Sequence, residues 1–187
     1  MATTSEIRNG LCIELNKDIW QVVEFQHVKP GKGNAFVRAK LKSLTSGKVV
    51  ENTFPSGASL EVVRIERRTF QYLYKDETGY TFMNNETFDQ ITLPDAMVDA
   101  KELIKEGLEV DILFHASEER PLFCELPDNV ILEVVEAEMA VKGNTSNNAY
   151  KKAIVETGAE IMVPLFVEPG TKIKIDTNTF EYLERVK

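Results

Sequence analysis

Cysteine and histidine are scarce: the 187 residues hold two of each. Cys12 and Cys124 lie far apart with no CxxC pair, which suits two small buried hydrophobes in a reducing compartment better than a redox or zinc motif. His27 and His115 are too few for a histidine-rich metal site and stand at no ligand spacing, so no metal is expected. GxSxG, Walker and GxGxxG motifs are missing, so no catalytic apparatus can be read and no enzyme is expected. No run approaches the roughly 18 apolar residues of a membrane span. The opening MATTSEIRNG lacks the basic stretch and apolar core of a signal peptide. Both observations point to the cytoplasm.

Helix signals are scarce too, and what remains is strand. Hydrophobic content of 43% and charged content of 28% are ordinary for a folded chain, and length alone suggests one or two domains. Trp20–Val28 and Ala35–Leu41 read as strands, Leu44–Lys48 as a turn, and Thr53-Phe54 as part of a third strand. The first 64 residues therefore predict a small half-open barrel. A fresh strand begins near Leu60, and residues 70–83 make a hairpin around Asp76–Gly79. Residues 94–107 predict the one helix, with Ala96, Met97, Ala100, Leu103 and Ile104 on one face, Pro94-Asp95 at its start and Gly107 at its stop. Met83–Phe88 reads as turn and capping sequence. The stretch from Glu106 to Ile112 echoes that from Pro169 to Ile175: a glycine, then branched residues at matching offsets, then a further strand. The echo suggests two related β domains in series, the second beginning near Pro127.

Net charge is −8, but it is uneven. Residues 1–64 carry nine Lys/Arg and six Asp/Glu, so +3; residues 65–126 carry six and fourteen, so −8; residues 127–187 carry seven and ten, so −3. A basic head on an acidic body suits a polyanion at one end and little indiscriminate sticking elsewhere. In that head stands VKPGKGNAF, where Lys32 lies between Gly31 and Gly33 after Pro30. The glycines permit unusual backbone angles and remove bulk beside the lysine. A seven-residue strand such as Ala35–Leu41 spans roughly 23 Å, so the tip can stand well out from the core. Lys29, Arg38, Lys40 and Lys42 make the hairpin a basic finger. Several readings of Lys32 stay open: a cation delivered into an anionic crevice, a lysine offered to a modifying enzyme, a Schiff-base nucleophile, or an ordinary loop lysine. The nucleophile is least favoured, because it needs a desolvating pocket.

Four stretches carry a family resemblance: KPGKGNAFVRAKL at 29–41, FMNNETFDQ at 82–90, VPLFVEPG at 163–170 and IKIDTNTFEYLERVK at 173–187. In this order, over nearly the whole chain, they closely resemble bacterial elongation factor P. The resemblance implies an all-β fold of three small barrels in a bent, tRNA-like arrangement. An SH3-like, KOW-type domain at 1–64 would precede OB folds at 65–126 and 127–187. It implies a non-enzymatic translation factor that binds the 70S ribosome between the peptidyl and exit sites and relieves stalling at consecutive prolines. Lys32 matches the lysine that a modifying enzyme extends and that reaches the acceptor end of the P-site peptidyl-tRNA. Lys29, Pro30, Gly31 and Gly33 would shape that tip, and Arg38, Lys40 and Lys42 would meet RNA. Tyr182 and Arg185 match the C-terminal motif, in the domain that lies toward the anticodon stem. The family's Gly-Asp-Thr loop reads Gly143-Asn144-Thr145 here and Lys152 stands for a common proline, which weakens any exit-site contact by this loop. No cofactor follows beyond covalent modification of Lys32, whose type the sequence leaves open between β-lysylation and an amino-alcohol extension. The family likeness implies a monomer. The alternative from another class is a general single-stranded RNA-binding or chaperone protein built from OB folds.

Overall fold

Val37, Ala39 and Leu41 alternate with Arg38, Lys40 and Lys42, the period of two that a strand with one face in a core requires. The structure, a computed structural model, describes residues 2–31, 33–139 and 150–186. Such patterns form three sheets. The first contains β1 (Ala2–Thr3), β2 (Cys12–Leu15), β3 (Asp18–Val28), β4 (Phe36–Ser43), β5 (Val49–Pro55) and β6 (Ser59–Val62), in the order β1-β6-β2-β3-β4-β5. The second contains β7 (Ile65–Asp76), β8 (Gly79–Asn84), β9 (Gln90–Leu93), β10 (Glu109–His115) and β11 (Arg120–Glu125), in the order β11-β10-β7-β8-β9. The third contains β12 (Asn129–Ala137), β13 (Tyr150–Val155), β14 (Glu160–Pro164), β15 (Lys172–Asp176) and β16 (Tyr182–Val186), in the order β14-β13-β12-β15-β16. Every strand anticipated from the sequence is present, and the fold is all-β.

By packing, the chain divides into two compact units: Met1–Arg68 with Ile112–Cys124, and Thr69–Asp111 with Glu125–Lys187. In the first unit Ile13, Val22, Val37, Ala39, Leu41 and Phe54 form the core of the N-terminal sheet. A second cluster joins Cys12, Ile19, Leu44 and Val63 to Leu113, Leu122 and Phe123. Both cysteines are buried, as expected. Beside this cluster the Arg68 guanidinium stacks 4.5 Å from the centre of the Phe114 ring and reaches Glu66 and Glu119 at 2.8 Å. Those two carboxylates, Glu119 first, hold its proton still more tightly than usual.

In the second unit the echo noticed in the sequence is a structural repeat. The Gly107 amide donates to the Tyr72 carbonyl at 2.9 Å, and the Tyr72 amide donates to Leu108 at 2.8 Å. The Gly170 amide donates to the Val134 carbonyl at 2.7 Å, and the Val134 amide donates to Thr171 at 2.9 Å. Tyr72 and Val134 each open a β-bulge, between Tyr72 and Tyr74 against β8 and between Val134 and Glu136 against β13. Each bulge bends its strand.

Residues 94–107 correct the helix expected there. They form two separate 3-10 turns, Asp95–Met97 and Lys101–Leu103. Ala100 between them has φ 41°, ψ 38°, which no right-handed α-helix accepts, and its amide donates a hydrogen bond to the Asp99 carboxylate at 3.0 Å. Val98, off the anticipated face, is buried along with Leu103 and Ile104, while Ala96 is exposed. Leu103 joins the C-terminal core of Val130, Leu132, Val134, Ile173 and Ile175. Helix nucleation is unfavourable in so short a segment, and tertiary burial of these three side chains selects the broken path.

Candidate functional site

The basic finger is the β3–β4 hairpin. Its ladder runs antiparallel from the pair Trp20–Ser43 to the pair Val28–Phe36, with one bulge between Val22 and Glu24. Seven residues, 29–35, close the tip. Lys29, Pro30, Gly31 and Gly33 are all exposed there, while Lys32 itself lies outside the described residues. The two glycines are not equivalent. Gly33 has φ +118°, a conformation that L side chains rarely adopt, and a Cβ on it would stand 3.7 Å from Pro30 Cγ. Gly31 has no such backbone angle, and a Cβ on it would meet only open space. Left-handed freedom is therefore used on one side of the lysine only.

Alternation aims Val37, Ala39 and Leu41 inward, leaving Arg38 and Lys40 exposed and Lys42 half-buried on the other face of β4. Their neighbours differ. Lys40 lies between Glu24 and Glu51 on the flanking strands, with its ammonium 3.6 Å from Glu24, so much of its charge is answered locally. Arg38 lies directly between Gln26 and Thr53, which are neutral. Glu24, Phe25, Gln26, Arg38, Lys40 and Glu51 line a shallow pocket of about 100 Å³ on the finger's flank. The Phe25 and His27 rings meet edge to face, 5.6 Å between centres, and stiffen the stem.

Tyr182 and Arg185 belong to the second unit, on β16, and do not share a pocket. Tyr182 is half-buried and lines an open groove with Tyr150, Met162 and Phe180, rimmed by Glu160 and Glu181. Arg185 is exposed beside Gly170, Thr171 and Lys172. Gly143, Asn144 and Thr145 lie outside the described residues. Among the described residues no group of His, Cys, Asp and Glu is placed to hold a metal ion, and no helix is long and apolar enough to cross a membrane.

Residues 83–88 read as a turn, but its match to a second turn at 176–181 escaped the sequence reading. In residues 84–89 the Asn84 side-chain oxygen accepts from the amides of Glu86 and Thr87, and the Asn84 carbonyl accepts from the Phe88 amide at 2.9 Å. In residues 176–181 Asp176 accepts from the amides of Asn178 and Thr179, and its carbonyl accepts from Phe180 at 2.9 Å. Phe88 and Phe180 have φ 63° and 60°. The shared spelling, Asn or Asp followed three residues later by Thr-Phe and an acid, was the available signal. The amides of Thr179 and Asn178 hold the Asp176 carboxyl below the usual carboxylate range.

Known families match all three stretches of the chain. The elongation factor P KOW-like domain covers residues 3–60, its OB domain residues 65–123, and its C-terminal domain residues 130–185. Elongation factor P of Flavobacterium johnsoniae is 56% identical over 187 residues, 100% of each chain. Elongation factor P of Amoebophilus asiaticus is also 56% identical over 187 residues, covering 100% of this chain and 98% of its own. The solved structure of eukaryotic translation initiation factor 5A from Methanococcus jannaschii shares the fold over 67% of this chain and 90% of its own, at TM-score 0.52 and 20% identity. With three domain models in order and more than half of its residues shared end to end, the chain belongs to the elongation factor P family of translation elongation factors.

Proposed function

We propose that the chain binds the 70S ribosome between the P and E sites and directs Lys32, extended by a lysine-modifying enzyme, toward the acceptor end of the peptidyl-tRNA. It works in the cytoplasm as a monomer, with domains at 1–64, 65–126 and 127–187, and performs no covalent chemistry of its own. Proline is a secondary amine with a fixed φ and positions poorly for attack. Holding the tRNA in reactive geometry can contribute up to about 7–11 kcal/mol, and each ~1.4 kcal/mol is tenfold in rate, so a fraction suffices to relieve stalling at consecutive prolines. Lys29 and Arg38 would meet RNA phosphates along the finger, with Lys42 behind them; Tyr182 and Arg185 would serve the C-terminal domain in the same way.

The observation that carries this reading is the long β3–β4 hairpin, with an exposed tip shaped by Pro30 and a left-handed Gly33 around position 32. Peptide-bond formation on purified ribosomes tests it. Lys32→Ala should lose at least tenfold of the stimulation on a Pro-Pro template and leave a proline-free template unchanged. Stimulation equal to the unaltered protein would overturn the reading. Intact mass of the protein from its own host, mapped to Lys32, reports the modification; an unmodified lysine would remove the extension from the proposal. The rival of a general RNA chaperone predicts instead that Lys32→Ala loses bulk single-stranded RNA binding. The carboxylates of Glu160 and Glu181 at the rim of the aromatic groove oppose that rival, since phosphates avoid them.

A further inference from the structure

Phe88 is exposed to 69% and has a left-handed backbone, φ 63°. Each feature alone is ordinary or explicable. Single exposed apolar side chains are common, and exposed Val, Ile and Leu residues of this chain sit on strands. A bulky residue at positive φ is uncommon and persists only where its surroundings over-determine it. Phe180 holds the same angle in the matching turn, and there the ring packs partly against the C-terminal core. The ring of Phe88 has no such cover. Its turn is nevertheless rigid: Asn84 ties Glu86, Thr87 and Phe88, the Asn84 amide donates to Asp89 at 2.9 Å, and the Asn85 side chain donates to Glu109 at 3.1 Å. The turn thus fixes the Phe88 backbone and leaves its ring in solvent.

We infer that Phe88 is the anchor by which the β8–β9 turn docks onto a lysine- or arginine-rich protein surface of the ribosome. The inference rests on the ribosome binding proposed above. The charge around the ring selects the partner's chemistry. Glu86 and Asp89 flank Phe88 and are exposed, Glu109 is bound to the same turn, and residues 65–126 carry a net −8. Carboxylates around an aromatic face repel RNA phosphate and favour a guanidinium or ammonium laid over the ring. The preformed turn leaves little ordering entropy to lose on docking.

The full-length protein carrying the photo-reactive p-benzoylphenylalanine at position 88 is irradiated with purified 70S ribosomes, sedimented and digested. The expected product joins position 88 to a Lys/Arg-rich peptide of a ribosomal protein. In parallel, Phe88→Ala should weaken ribosome binding about tenfold with an unchanged melting temperature, and Phe88→Tyr should restore it. Cross-linking to ribosomal RNA alone, or co-sedimentation without a protein cross-link, overturns the inference and leaves ribosome binding standing. Phe88→Ala with unaltered affinity also overturns it. Failure of the unaltered protein to co-sediment overturns this inference and the ribosome-binding proposal together.

Discussion

Gly79 shows how one residue can be fixed by a neighbour that the local sequence does not reveal. The turn between β7 and β8 is shaped by Asp76, whose carboxylate accepts from the Thr78 amide at 2.8 Å and whose pKa is lowered by Thr78. That much is local, and the Asp76–Gly79 stretch reads as a turn from sequence. Gly79 has φ +139°, and a Cβ there would collide with the carbonyl of Leu93, whose carbon would stand 2.9 Å away. The obstacle arrives with β9, paired beside β8 through Tyr80 and Leu93. Gly79→Ala should destabilise the protein by about 3 kcal/mol, combining backbone strain and overpacking. Urea unfolding measures this, and a loss below about 1 kcal/mol would show that β9 can shift to make room. At the hairpin tip the Gly-Lys-Gly spelling was legible, whereas the unequal roles of Gly31 and Gly33 depend on backbone angles that spelling does not encode.

Among elements, the two matching turns differ in one informative way. Asn84 caps the first with a neutral amide and Asp176 caps the second with a carboxylate. The carboxyl of Asp176 is more acidic folded than unfolded. Its contribution is therefore present above the unfolded value of about 4 and is lost as pH falls through the lower folded value. Between pH 5 and 2 the amide resonances of Asn178 and Thr179 should follow a single titration, which Asp176→Asn should abolish while keeping the turn. Persistence of that titration in the variant would show that another carboxylate governs these amides. The strands and turns were readable because alternation and turn residues are local signals. Residues 94–107 misled because five apolar positions at helical spacing are compatible with two 3-10 turns once Val98, Leu103 and Ile104 are buried. The turn at 84–89 was read as a turn, but Phe88's exposure follows from the lack of core beneath it, a property of packing alone.

In the whole molecule, stretches distant in sequence complete each other's cores. Cys12, Ile19, Leu44 and Val63 pack with Leu113, Leu122 and Phe123. A fragment of residues 1–64 should accordingly lack cooperative unfolding in urea and bind the dye ANS strongly, despite holding all six strands of its sheet. A sharp transition with weak dye binding would show that the N-terminal sheet is self-sufficient. The charge gradient belongs to this scale as well and was legible from composition. The interleaved packing was not, because nothing in a local window states which distant strand covers Val63. That interleaving has a consequence for the protein's own synthesis. The N-terminal unit draws on Ile112–Cys124, so about 60 further residues must be made after Arg64 before its core can close. At about 5–20 residues per second this leaves an unsealed apolar face on the nascent chain for about 3–12 seconds, a window in which a chaperone or a pause in translation would act.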